Sequence, residues 1–402
     1  MDTEKRKKIL GMEPNVFFTG LTSFLTDTST KMVYAVMPLF LLSIGASKTE
    51  LSLIEGIAES TASVLKAISG WWSDKIGKNK PFMTLGYLVT ALITPIYSSV
   101  ASPIQVLYLR FIERVGKGIR TAPRDSLIAG STDGKKIGKN FGFHKTMDNA
   151  GAIIGPLLAV WIMAMFANNY RLVFLLAAIP AALGVIVIMS FIKEAKKSKE
   201  SLPGKIVFKD FSKRFYAFLF IAFIFTLGNS TDALLLVKAK DAGFSNIAIP
   251  MLYLVFNVVS VIFAIPMGML SDKIGRERLI IFGFFLYSII YLCFGAFSLH
   301  YIIITLFALY GLYSASTDGI QKALVSDLID SDKRGTGLGL YNAVLGITLL
   351  PASLIAGVLY DKVNSSAPFY FGAAMSFIAA VLMIIFYGKR LISNKNVGES
   401  KA

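Results

Sequence analysis

One cysteine, Cys293, and two histidines, His144 and His300, are all the chain offers of the side chains that build disulfides and soft-metal sites. A single thiol excludes a disulfide framework and a thiolate metal centre, and two imidazoles give no reason to expect zinc chemistry. Neither a metal nor an organic cofactor is expected. Charge is scarce too: Asp, Glu, Lys and Arg make up 16% of the 402 residues, whereas a soluble domain carries about 25%. That deficit excludes a wholly water-facing surface. Apolar residues fill the gap, 54% of the chain, in runs of ~20, the length that crosses a bilayer.

The charge that remains is lopsided, 41 Lys and Arg against 25 Asp and Glu, for a net +16. In a soluble protein such an excess suggests nucleic acid. In a membrane protein it matters which loops hold it. The N-terminal tail, Lys75–Lys80, Lys135–Lys139, the stretch after Lys193, Lys273–Arg278, Lys333-Arg334 and Lys389-Arg390 are basic, whereas Ser98–Ser102 and Ser298–His300 contain no Lys or Arg. Cationic loops stay on the cytoplasmic side. The expectation is therefore a multi-pass plasma-membrane protein with both termini cytoplasmic, a lipid bilayer around it and no nucleic-acid partner. Met1 to Leu10 leads into an apolar segment without a small-residue cleavage site and reads as an uncleaved tail.

A polar turn recurs. Gly70-Trp71-Trp72-Ser73-Asp74-Lys75-Ile76-Gly77-Lys78 returns as Gly268-Met269-Leu270-Ser271-Asp272-Lys273-Ile274-Gly275-Arg276, with Ser-Asp-Lys-Ile-Gly identical in both copies. The spacing is about half the chain, so the sequence reads as two related halves. Each copy joins two apolar segments, as a hairpin that crosses a membrane and returns would do. The pattern Gly-x-x-x-Asp-Lys-x-Gly-Lys/Arg resembles motif A of the major facilitator superfamily. The resemblance implies an all-α membrane protein with twelve transmembrane helices in two pseudo-symmetric six-helix halves, and motif A between the second and third helices of a half. The halves would be residues 1–192 and 214–402, joined by a cytoplasmic linker at 193–213. Lys193 to Glu200, followed by Pro203-Gly204, reads as solvated chain.

The apolar runs predict helices over about Asn15–Ser43, Leu51–Trp72, Pro81–Ala101, Pro103–Asp125, Phe141–Ala167, Leu172–Ile192, Tyr216–Lys238, Ile247–Leu270, Leu279–Phe297, Tyr301–Val325, Gly337–Tyr360 and Phe369–Tyr387. Ionisable groups inside such helices cost about 2.5–3.5 kcal/mol each on insertion scales, and they face a bundle interior or water. In the fourth helix, Arg110, Glu113, Arg114, Lys117, Arg120 and Arg124 fall within an arc of about 120° at ~100° per residue, which lipid cannot solvate. Near its end Arg120, Arg124 and Asp125 can snorkel. For Arg110, Glu113 and Arg114 a cavity role and a structural ion pair stand side by side. The second helix carries Glu55, Glu59, Ser63 and Lys66 on one face, complementary to Arg110 and Arg114. The first carries Asp27, Lys31 and Tyr34 on one face. Asp27 and Lys31 are either a self-neutralising i,i+4 pair or a proton-exchanging carboxylate beside its modulator.

Two further stretches carry the resemblance. Arg114-x-x-Lys117-Gly118 is similar to motif B, Arg-x-x-Gln-Gly, with Lys117 and Arg120 as departures. Gly151-x-x-x-Gly155-Pro156-x-x-Ala159 is similar to motif C of proton-coupled exporters, although Ala159 and Val160 replace its last two glycines. The same glycines also suit close helix packing without any coupling role. His144 and Asp148 share their face. The second half has fewer charges, with Asp232, Asn257 and Asp318 as polar cavity candidates, and many aromatics, Tyr313 among them.

The resemblance implies a secondary transporter of a small molecule, a monomer and not an enzyme, working as a proton-coupled exporter. Asp27 is the first candidate for the proton, followed by Glu59 and Glu113. Substrate-cavity candidates are Lys31, Tyr34, Glu55, Arg110, Arg114, Asp148, Asp232, Asn257, Tyr313 and Asp318. Gly70, Asp74, Gly77, Lys78 and Asp125 would form a gating latch, with Gly268, Asp272, Gly275 and Arg276 as its second copy. The cationic fourth helix supports one rival, import of an organic anion. A receptor-like or lipid-scrambling protein is the other, and the two kept turns argue against it.

Overall fold

The computed structural model describes residues 9, 12–131, 137–194, 211–330 and 334–398. The N-terminal tail up to Lys8, Gly134–Lys136 of the basic loop, the linker from Ala195 to Asp210 and Lys333 lie outside them. The described residues form thirteen α-helices and no strand: α1 Pro14–Ser43, α2 Lys48–Ile76, α3 Lys80–Ile96, α4 Pro103–Gly130, α5 Ile137–Met165, α6 Tyr170–Phe191, α7 Lys213–Gly228, α8 Ala233–Asp241, α9 Ala248–Ile274, α10 Arg276–Ala296, α11 His300–Asp327, α12 Arg334–Lys362 and α13 Ala367–Gly398. The seventh span, Lys213–Asp241, holds both α7 and α8, so twelve spans are built from thirteen helices. A continuous helix over Tyr216–Lys238 was expected; the polar run Asn229-Ser230-Thr231-Asp232 breaks it.

Local sequence explains the ends. Pro14 and Pro103 open α1 and α4 where no amide donor is needed. The Gln105 side-chain oxygen accepts from the N–H groups of Ala101 at 2.9 Å and Ser102 at 3.3 Å. Asn169 and Ser212 cap α6 and α7 through the amides of Leu172 and Phe215. In both copies of the repeated turn the second glycine adopts a left-handed backbone, φ +74° at Gly77 and +98° at Gly275, where a Cβ is strained.

Among the described residues, eight spans are long and apolar enough to cross a membrane by length and composition. The four long helices outside that set are α1, α2, α4 and α11, which carry most of the polar candidates. Large apolar side chains lie open on the outside, among them Ile265 at 73% and Tyr301 at 68% exposure. Hydrocarbon solvates such a surface and water does not.

Contacts divide the chain into two compact units. The first contains residues 1–46, 57–204 and 245–254; the second contains 47–56, 205–244 and 255–402. In the first, α1 packs on α5 and α6, and α3 on α4 and α6. Small residues permit the approach: a Cβ on Gly151 would lie 2.7 Å from the Phe24 carbonyl, and one on Gly155 2.6 Å from the Thr28 carbonyl and 2.7 Å from Lys31 Cβ. Gly86 and Gly116 do the same between α3 and α4. In the second unit, α10 packs on α11 and α13, and α7 on α12 and α13, around stacked Phe225–Phe284 and Tyr287–Tyr291 rings.

The first turns of α2 belong to the second unit. Asp361 of α12 accepts from the Thr49 amide and hydroxyl, both at 2.7 Å, and from the Lys48 amide at 3.4 Å. Ser47 and Glu50 complete the start of the helix with a reciprocal pair of bonds. Below this cap, Gly357 fits against Ser52 and Gly56 against Ser353, with no room for a Cβ at either glycine.

Candidate functional site

The charged face of α4 is resolved into specific partnerships. Arg110, 1% exposed, pairs with Glu113 on its own helix at 3.1 Å. The Tyr97 hydroxyl donates to the same Glu113 oxygen at 2.8 Å. Arg114 reaches across to Glu59 of α2 at 2.9 Å, so the complementary stripes on the second and fourth helices do meet, through Glu59. Glu55 is buried, and it belongs to the second unit. Arg120 donates to Thr90 and to the Gly86 carbonyl, with its guanidinium 4.4 Å over the Tyr87 ring. Arg124 forks onto its neighbour Asp125 at 3.0 and 3.1 Å.

The α1 face lies next to this stripe. Ser23 bonds the His144 ring at 2.7 Å and the Tyr87 hydroxyl at 3.2 Å, and His144 stands 3.6 Å from Asp148. One turn along, Asp27 is half-buried, and Gly151 of α5 presses against its Cβ. Its carboxylate makes no hydrogen bond or ion pair among the described residues. Lys31 donates instead to the Tyr253 hydroxyl at 2.8 Å, and its ammonium sits 5.7 Å from the Tyr34 ring and 5.4 Å from the Tyr253 ring. The self-neutralising Asp27–Lys31 pair is thus not formed. Arg110 lies 5.9 Å from the other part of this group, the Tyr34 ring. Gly151 and Gly155 are the close-approach points on α5, and Pro156 follows them inside the helix.

In the second unit, polar groups gather where α7 gives way to α8. The Tyr310 hydroxyl donates to Asp232 at 2.7 Å, the Asn229 amide donates to the Tyr313 hydroxyl at 3.2 Å, and the Tyr287 hydroxyl donates to the Gly228 carbonyl at 3.0 Å. A carbonyl left over by the broken helix is satisfied in this way. Asp318 accepts from Ser314 at 2.6 Å, and Asn257 is buried.

For the repeated turns, the surroundings of Gly70 and the Asp74 side chain lie outside what is described, while Lys78 is exposed. In the second copy Arg276 lies 3.7 Å from Asp272, pairs with Asp327 and donates to the Ala323 carbonyl. Gly268 has open space around it. Asp327 was not among the expected residues, yet it ends α11 much as Asp125 lies near the end of α4, and that position was the signal available. A second omission was Glu194. The charged stretch after Lys193 is not simply solvated chain at its start: the Glu194 carboxylate accepts from the amides of Asn79 at 2.8 Å and Lys80 at 2.9 Å. Orphan donors at a helix start attract a carboxylate, so the linker's first acid caps α3.

This arrangement matches the sequence comparisons. The Major Facilitator Superfamily profile matches residues 19–253 and 217–402, and the chain belongs to that superfamily of transporters. An MFS-type transporter of Methanocaldococcus jannaschii is 36% identical over 382 residues, covering 93% of this chain and 95% of that protein. The quinolone resistance protein NorA of Staphylococcus aureus is 24% identical over 383 residues, covering 93% of this chain and 97% of that protein. The multi-drug resistance efflux pump PmrA of Streptococcus pneumoniae is 26% identical over 70% of this chain and 73% of its own. A solved POT family transporter in complex with 5-aminolevulinic acid superposes with a TM-score of 0.80 at 14% identity, covering 96% of this chain and 98% of that one.

Proposed function

We propose that the chain is a proton-coupled exporter of a small molecule that works by alternating access, with the proton carried on Asp27. One observation carries this reading. Glu59 and Glu113 are each held by an arginine, whereas the Asp27 carboxylate makes no hydrogen bond or ion pair among the described residues. Such a group gains and loses a proton without first giving up a partner. Lys31, one turn on, is bonded to a tyrosine and stays near enough to act on Asp27 through its charge. The glycines of α5 hold this turn of α1 in place. Relatives named as efflux pumps favour export. The protein is read as a plasma-membrane monomer with cytoplasmic termini, gated at its repeated turns by Asp125 and Lys78 in one copy and by Arg276, Asp272 and Asp327 in the other.

The test is transport in proteoliposomes under an imposed pH gradient. Wild type should concentrate substrate against its gradient on the proton-rich side, and Asp27→Asn should lose this while keeping downhill exchange. Should that variant still concentrate substrate, the proton belongs to Glu59 or Glu113. The cations of α4 favour a second reading, proton-coupled import of an organic anion; the direction of pH-driven flux separates the two.

A further inference from the structure

We propose that Lys117 is the docking cation for an anionic oxygen group, carboxylate or phosphate, on the transported molecule. The inference rests on the chain being a transporter, and it holds for either direction of transport.

Lys117 stands midway along α4, yet its side chain is exposed, while Arg110, Glu113, Arg114 and Arg120 on the same helix are all buried. Each of those four has its partner: Glu113, Arg110 with Tyr97, Glu59, and Thr90 with a carbonyl. The Lys117 ammonium makes no ion pair among the described residues. The charges acting on it are those of Arg114, Glu59, Asp27 and Lys31, which lie on α1, α2 and its own helix. It therefore projects among the polar faces of these helices, where hydrocarbon would be a costly neighbour.

The local balance is cationic. Among the charges that act on this group, Lys31, Arg110, Arg114, Lys117 and Arg120 stand against Asp27, Glu59, Glu113 and Asp148. When Asp27 carries a proton the excess grows by one charge. An exposed ammonium in a region of surplus positive charge is a site for an anion, and its three rotatable donors accept a carboxylate or a phosphate as a point charge. The motif B pattern would place neutral Gln here, so the feature is this chain's own.

The test uses the full-length protein in nanodiscs. Binding of benzoate, citrate and glucose 6-phosphate is compared with that of benzamide and glucose. A carboxylate or a phosphate probe should bind where its neutral counterpart does not, and the responding arm tells which group is used. Lys117→Gln should weaken that probe by ~10-fold or more, the typical effect of losing a hydrogen bond to a charged group, and Lys117→Arg should stay within a few fold. A second measurement needs no ligand. With Thr121→Cys in a Cys293→Ser background, a sulfonate thiosulfonate reagent should label faster than its trimethylammonium analogue, and Lys117→Gln should abolish the preference. Anion binding that Lys117→Gln leaves unchanged overturns the proposal. If no probe binds, the labelling ratio decides, and a ratio indifferent to Lys117 overturns it as well. Proton coupling retained in Asp27→Asn, with anion binding still sensitive to Lys117, would count against Asp27 and not against Lys117.

Discussion

In the first unit several arginines of α4 meet an opposite charge: Arg110 with Glu113, Arg114 with Glu59, Arg124 with Asp125. In the second, tyrosine hydroxyls do most of the same work around Asp232 and the end of α7. The two solutions respond differently to damage. Removing one member of a buried ion pair strands a charge. Removing a phenolic hydroxyl takes one donor from its acceptor, and the ring still fills its place. The first unit should thus be the stiffer toward substitution and the second the more tolerant.

Arg114→Ala tests the contrast most severely. It should cost about 2–3 kcal/mol by leaving Glu59 unpaired, less than the ~3–5 of a fully buried pair because the Glu59 side chain is 39% exposed, and Arg114→Ala with Glu59→Ala should recover much of that. Thermal unfolding in nanodiscs across the four-variant cycle reads the coupling, and simple additivity would show that the pair does not act as one. Next comes Gly155→Leu, which drives a side chain into the Thr28 carbonyl and should cost about 1–3 kcal/mol. Gly319→Ala, with open space around it, should be neutral or mildly stabilising in the same assay. Gly77→Ala and Gly275→Ala should each cost about 1–2 kcal/mol for the left-handed backbone. Equal losses would show that the two turns are alike despite their different surroundings. The smallest effect is expected from Tyr287→Phe, about 1 kcal/mol for a neutral bond to the Gly228 carbonyl. A loss as large as that of Arg114→Ala would erase the distinction between the units.

Much of this was legible because membrane spans and repeats are written in long stretches. The duplicated turn gave the two related halves, and the left-handed glycines in both copies follow from the same five residues. Period-3.6 spacing placed Arg114 and Glu59 on facing stripes. What stayed hidden depends on where helices end relative to distant residues. Nothing local in Glu194 says that it will cap α3, nor in Asp361 that it will cap α2. The break after Gly228 was obscured because Asn229 to Asp232 is short and flanked by strongly apolar residues. Lys117 was visible only as a departure from a pattern, and its exposure is what sets it apart from its buried neighbours.

The contact between α2 and α12 has a thermodynamic side. It joins Thr49, Ser52 and Gly56 to Ser353, Gly357 and Asp361, all small or polar. Water can replace each bond to Asp361 with a similar one, and the net cost per hydrogen bond is about 0.5–1.5 kcal/mol. The polar bonds of this junction are therefore exchangeable with water at little net cost. The amides of Lys48 and Thr49 should therefore exchange with deuterium far sooner than those in the middle of the same helix, and Asp361→Asn should hasten them further.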